Sequence, residues 1–297
     1  MPGGPLFGIF LPQLRMPFST IETRVRAAEE AGFDSAWFMD HLAPPAAPEH
    51  DTLEAWTLAS AIAARTISIR LGHLVLCDPF RHPALLAKMA ATVDVISEGR
   101  LELGIGWGSV EAELASFGFG PEAPAVRAAK LDEALQIIEL MFTGERFDYD
   151  GVHYRLHDAI GRPRPVHGRV PVHIGGAGTR LTMPLVARHA DWWNCPSYAI
   201  ERLHELLPLA RDVRVSAQHP VGLAPSAAAR DEVEAVARKR FGTWGGLITG
   251  TPAEVAAALR REVDAGVELF VVQLSDFGTP ETIELFAREV IPEVRGQ

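Results

Sequence analysis

An acid and an imidazole stand side by side at Asp40-His41, directly after the apolar run Ser35 to Met39. An imidazole changes charge near neutral pH, so a histidine where a strand ends can take or give a proton in a reaction, with the neighbouring acid as its charge partner. The same pair also suits a loop cap beside an ordinary surface histidine. Two glycine runs suggest a second kind of chemistry, Gly104-Ile105-Gly106-Trp107-Gly108 and Ile174-Gly175-Gly176-Ala177-Gly178-Thr179. Glycine lets backbone approach a ligand closely, and where the second run enters a helix its free N–H groups favour a phosphate. Turns use glycine too, but two such runs at successive strand ends, the second followed by Arg180, point to an anionic cofactor. Arg81 reads either as a surface cation or as an anion contact. Trp107, between two glycines, suits a pocket, whereas Trp192 and Trp193 suit packing. Asn194 could hydrogen-bond a ring edge or cap the next turn. A catalytic metal would need three or more histidine or carboxylate ligands. The 11 histidines form no His-x-His and no His-Glu-x-x-His. His41, His73, His82 and His173 could meet only through topology, so no metal site is expected.

Elements must bring these residues together. Short apolar runs alternate with amphipathic stretches almost from end to end, the rhythm of βα units on a parallel sheet. Strands are expected at residues 6–11, 35–39, 69–77, 101–106, 170–174, 190–195, 213–223 and 269–274. Helices follow most of them. Ser19 with Glu22 reads as a capping box, Asp51 or Thr52 as the next helix start, and Pro83 as a first helical residue before a helix closed by Gly99. Residues 131–142 and 181–189 read as further helices. Thr251-Pro252-Ala253-Glu254 is a second capping box, and Thr279-Pro280 starts the last helix. Asp150-Gly151 within residues 147–154 reads as a hairpin turn. Eight strand-helix units favour a (β/α)8 TIM-like barrel over a Rossmann sheet, which would want Gly-x-Gly-x-x-Gly where Leu11-Pro12-Gln13 stands. The expectation is one domain over residues 1–297, with insertions near 144–168 and 224–249 and with the chemistry at the carboxyl ends of the strands.

A chain of 297 residues that is 47% hydrophobic and 22% charged can bury a sizeable core, which excludes disorder. Its formal charge of −10 disfavours nucleic acid and anionic membranes as partners. Cys77 and Cys195 are too few for a disulfide scaffold and suit a reducing compartment. The start of the chain shows no secretory signal, and nowhere is there an apolar run long enough to span a bilayer. A cytoplasmic protein is expected.

Several blocks resemble the bacterial-luciferase-like monooxygenase superfamily, in its coenzyme F420-dependent oxidoreductase branch. They are Asp34 to Leu42, Arg70 to Lys88, Gly99 to Gly106, Ile174 to Gly178, Ala187 to Asn194 and Gly250 to Val255. The resemblance is collinear over nearly the whole chain. It implies a TIM-like barrel holding a deazaflavin ring at its rim, with hydride moving between C5 and a small-molecule substrate. By position it implies His41 as acid/base with Asp40 beside it, and a non-prolyl cis peptide at Leu74-Val75 against the ring. It also implies cofactor contacts at Cys77, Trp107 and Gly108, and a phosphate at Ala177 and Gly178. The sugar-phosphate dehydrogenase branch has an acid after the fourth-strand Gly-x-Gly. Here Ser109 stands there, with Glu111 and Glu113 further on, which argues for a reductase or another dehydrogenation. The alternatives are an FMN-dependent two-component monooxygenase of the same fold, and a barrel that binds ligand or hydrolyses without redox chemistry. The long anionic tail of F420 would need a cationic exit, for which Arg81, Arg162, Arg164 and Arg180 are candidates. A homodimer is expected from the habit of such barrels.

Overall fold

The computed structural model describes residues 4–44 and 47–296. Eight parallel strands run in chain order around a closed barrel: β1 (Leu6–Phe10), β2 (Ser35–Phe38), β3 (Arg70–His73), β4 (Leu101–Gly106), β5 (Val172–Gly175), β6 (Trp192–Cys195), β7 (Arg214–Leu223) and β8 (Leu269–Leu274). Each pairs with its neighbours in sequence, and β8 closes on β1 through Leu6 against Leu269. Nearly every strand residue is buried, as in β8, because a barrel strand is covered by helices outside and side chains within. The sheath includes α1 (Phe18–Glu30), α2 (Ala55–Ala63), α3 (Pro83–Ile96), α4 (Glu111–Ser116), α5 (Pro124–Thr143), α6 (Thr182–His189), α7 (Leu203–Ala210), α8 (Arg230–Phe241), α9 (Pro252–Asp264) and α10 (Pro280–Leu285). Helix α1 shows the pattern, with Ile21, Val25 and Ala28 buried on one stripe.

The lower half of the barrel is filled by aromatic and ionic groups. Trp37 is wholly buried, its ring centroid 4.8 Å from that of His173 in an edge-to-face contact, and His173 stacks on Trp192 with centroids 5.4 Å apart. A Cβ on Gly8 or Gly72 would lie 2.5 Å from the Trp37 ring, so those strand positions leave room for the indole. Glu102 accepts from His173 Nε2 at 2.8 Å and pairs with Arg70. This plug leaves the carboxyl rim as the open end.

Several local expectations are corrected. The third strand is not continuous: β3 stops at His73, the Leu74-Val75 peptide is cis, and Leu76–Cys77 forms a separate short strand on β4. Helix α1 starts behind Pro17, whose fixed φ suits the entry, so Ser19 caps nothing and Glu22 turns to Arg65. Helix α2 is capped by Glu54, which accepts from Trp56 and Thr57 N–H, rather than by Asp51 or Thr52. The hairpin (Arg146–Asp150 with Arg155–Ile160) has a four-residue loop instead of a two-residue turn. The carboxylate of Glu133 on α5 accepts the loop's Val152, His153 and Tyr154 N–H groups. The Thr251-Glu254 capping box forms as read. Within 224–249 lie α8, a glycine-rich loop and a short strand, Ile248–Gly250, that extends β7.

Candidate active site

Asp40 follows β2 and is 4% exposed. Arg81, from the turn behind Leu76–Cys77, donates from Nη1 and Nη2 to its two oxygens at 2.6 and 2.9 Å, and Cys77 N–H donates to Oδ2 at 2.8 Å. Arg81 also donates to Glu54 Oε1 at 2.7 Å. Burial opposes the Glu54 charge, but the Thr57 and Trp56 N–H groups and Arg81 prevail and draw its carboxyl down to about 2. Arg81 is therefore neither a surface cation nor a cofactor contact. It neutralises Asp40 from beneath and ties the second strand end to the third. Both Asp40 oxygens are engaged, Oδ1 by Arg81 and Oδ2 by Arg81 and the Cys77 N–H.

His41 does not pair with its neighbour. Its Nδ1 is 2.8 Å from Glu113 Oε2, on α4, and the other Glu113 oxygen accepts the Leu42 and Ala43 N–H groups at 2.6 and 3.1 Å. A carboxylate only accepts, so Nδ1 carries a proton, and in the neutral ring Nε2 then holds the lone pair. Among the described residues Nε2 has no partner, and the ring lines the main cavity. Glu113 is the functional group that residue types alone did not single out. Its side chain is 6% exposed and it pairs with no lysine or arginine among the described residues.

The cavity, about 540 Å³, opens at the carboxyl rim. Its wall includes thirteen of the expected site residues: Asp40, His41, Leu74, Val75, Cys77, Gly106, Trp107, Gly108, Gly175, Gly176, Ala177, Gly178 and Asn194. The floor is the Leu74-Val75 bulge. A Cβ on Gly104 would sit 1.8 Å from the His73 carbonyl, so only glycine lets β4 pass the bulge there. Cβ atoms on Gly106 or Gly175 would come within 3.0 Å of the Val75 methyls, and both positions stay open beside it. Burial first, then the Asp40 and Glu113 charges, push the Cys77 thiol far up, so it contributes a neutral sulfur. Asn194 donates from Nδ2 to Ser216 Oγ at 3.0 Å, which fixes its amide in place. Missed by type were Thr182, which accepts Trp107 Nε1–H at 3.1 Å, and Gln218 and Tyr198 on the opposite wall.

Thr179 lies in an adjoining depression of about 340 Å³ with Trp107, Gly178, Arg180 and Arg202. Here the chain runs into α6, and the N–H groups of Ala177 to Arg180 have no partner among the described residues. Arg180 makes no ion pair there, while Arg202 is held by Glu205. Arg162 and Arg164 are elsewhere. Both pack on Gly144, where α5 ends at the opposite rim, because that helix runs antiparallel to the strands. Trp193 is core and Trp192 is part of the lower plug. No three metal-binding side chains cluster among the described residues, and none of their helices is long and apolar enough to cross a membrane.

Residues 6–246 match the description of luciferase-like monooxygenases. An F420-dependent glucose-6-phosphate dehydrogenase of Microbacterium testaceum is 35% identical over 70% of this chain, which spans 59% of that protein. One from Kineococcus radiotolerans is 28% identical over 90% of each. In shape the chain is similar to an F420-dependent secondary alcohol dehydrogenase solved with an F420-acetone adduct, at TM-score 0.79 and 21% identity over 98% of this chain and 99% of that one. It is also similar to the EDTA monooxygenase of Chelativorans, at TM-score 0.84 and 14% identity over 99% and 94%. At those identities the solved structures speak for the fold.

Proposed function

The chain belongs to the luciferase-like monooxygenase family, and from that premise we propose an oxidoreductase that uses coenzyme F420 to move a hydride to or from a small organic substrate. The observation that carries this is one cavity with three properties: a glycine-lined floor at Val75, a lone imidazole nitrogen on its wall and a ring of free N–H groups beside it. The residues fit the group. The bulge and the open positions at Gly106 and Gly175 leave space for a flat ring, and side chains at Gly176 or Gly178 would crowd Thr182 where a phosphate would meet the α6 terminus. When bound, the deazaflavin supplies obligate two-electron hydride chemistry at C5.

The chain's own residues supply the proton and the geometry. His41 Nε2 takes the proton of a substrate hydroxyl, or returns it to a carbonyl oxygen in the reverse direction, and Glu113 holds the ring in the tautomer that allows this. Asp40 and Arg81 fix the rim on which His41 stands, and Trp107 is pinned to Thr182. FMN in a two-component monooxygenase is the second reading. The exit favours F420: Arg180 and Arg202 stand beside Gly178, where they would meet the longer anionic tail. The named activity of the dehydrogenase relatives supports the same cofactor. Titrating the purified protein separately with F420 and FMN, read by fluorescence quenching, tests the choice. Saturable F420 binding is expected, and tight FMN binding without F420 binding would overturn it. A single folding unit and a homodimer belong to the same reading, the latter tested by light scattering.

A further inference from the structure

The charge of the cavity wall restricts what can sit against the ring, an inference that rests on the F420 reading. Among the described residues no lysine or arginine lines the 540 Å³ cavity, whereas two carboxylates do. The charge of Asp40 is met by Arg81, whose guanidinium is spent on Asp40 and Glu54. Glu113 is answered only by an imidazole and two backbone N–H groups. Arg127 is 3% exposed, lies over Trp107 at 5.4 Å and donates to Glu122 O and Glu111. Arg180 and Arg202 open onto the adjoining depression, the side of the cofactor's phosphate and tail. The polar groups that face a substrate include His41 Nε2, the Ser109 and Tyr198 hydroxyls and the Gln218 amide. They stand among Trp107, Val110 and Leu114.

We propose that the substrate is a small uncharged alcohol or carbonyl compound, and that phosphorylated sugars and carboxylates are excluded. A buried carboxylate whose only side-chain partner is an imidazole, with no lysine or arginine beside it among the described residues, disfavours a second anion, which is specificity by repulsion. The redox step balances without further reactants. In the oxidative direction the carbon bearing oxygen loses its hydrogen with the bonding pair to the cofactor, the hydroxyl proton passes to His41, and a C=O bond forms; reduction reverses each transfer.

The test uses the cofactor-loaded protein, in which the phosphate site at α6 is filled. Pairs that differ by one anionic group are compared: propan-2-ol with lactate, glycerol with glycerol 3-phosphate, and glucose with glucose 6-phosphate, together with their carbonyl forms. Calorimetric titration with inorganic phosphate and glucose 6-phosphate is the second readout. For any pair turned over, the neutral member should be favoured in kcat/KM by about 100-fold or more. Phosphate should show no saturable binding, and Glu113→Gln should narrow the gap. A charged member that outperforms its neutral partner, or saturable phosphate binding to the loaded protein, would overturn the proposal. If FMN loads instead of F420, the cofactor reading fails while the pairs are still compared with FMN, since the wall charge does not depend on the ring. If neither loads, both readings fall.

Discussion

Replacing Glu113 with glutamine isolates the imidazole's orientation. In the native pair Nδ1 faces a carboxylate at 2.8 Å, which fixes the proton on Nδ1 and the lone pair on Nε2. Glutamine can keep Oε1 on the Leu42 and Ala43 N–H groups, so its amide NH2 turns toward the ring. The ring must then accept at Nδ1 and carry its proton on Nε2, where it can no longer act as a base. A hydrogen bond to a charged group is worth about 1.5 to 3 kcal/mol, or roughly 10- to 150-fold. General base catalysis contributes about 100-fold or more, so kcat should fall by at least about that factor. Because the substituted side chain does not touch the cofactor's phosphate site, the F420 dissociation constant should hardly move, and the melting temperature should stay near that of the parent. The assay is steady-state F420 absorbance loss across substrate concentrations, with cofactor titration and thermal unfolding as controls. A kcat within about threefold of the parent, with fold and cofactor binding intact, would refute the tautomer argument.

Arg81→Met leaves the Asp40 carboxylate buried without its cation, which should cost about 3 to 5 kcal/mol in urea unfolding; an unchanged midpoint would show Asp40 to be compensated in another way. Gly178→Asp puts a negative charge at the α6 terminus and should weaken F420 binding more than tenfold by fluorescence titration in a variant that still unfolds cooperatively, although its Cβ presses on Thr182; undiminished binding would place the phosphate elsewhere. Asp78 is 1% exposed with Oδ1 unpartnered, and burial pushes its carboxyl up to about 7, against only a small opposing pull from Lys130. The folded state then holds this proton more tightly than the unfolded one, so stability is fullest at acid pH and falls as pH rises from about 4 to 7, by up to about 4 kcal/mol. Asp78→Asn should remove that slope, gaining stability at pH 8 and none at pH 4 in urea unfolding. Equal gains at both pH values would contradict it.

The barrel was legible because strands such as β1, β4 and β8 are largely apolar and buried on both sides, and helices such as α1 show an apolar stripe. Strand starts were less so: Val170 and Pro171 are as apolar as their neighbours but do not belong to β5. The bulge came from resemblance alone, since Leu74 and Val75 fit an apolar strand by type. The glycines at the rim could be read because a close approach requires them, as at Gly104. The partnerships could not. Asp40 and His41 are adjacent in the chain, yet Asp40 turns to Arg81, 41 residues on, and His41 to Glu113, 72 residues on. Those choices depend on how the turn after Leu76–Cys77 and the short helix α4 fold over the rim, which no local pattern encodes. The candidate cations were placed in part: Arg180 does line the depression beside Gly178, whereas Arg162 and Arg164 follow a helix that carries them to the other end of the barrel, and Arg202, beyond β6, was not singled out.

The central claim is that a bound deazaflavin and the His41 imidazole act on one substrate in this cavity. Single-turnover absorbance of F420 mixed with the His41→Asn protein tests it most directly. The account predicts F420 affinity close to that of the parent and a hydride-transfer rate lower by about 100-fold or more. Transfer at the parental rate would contradict it.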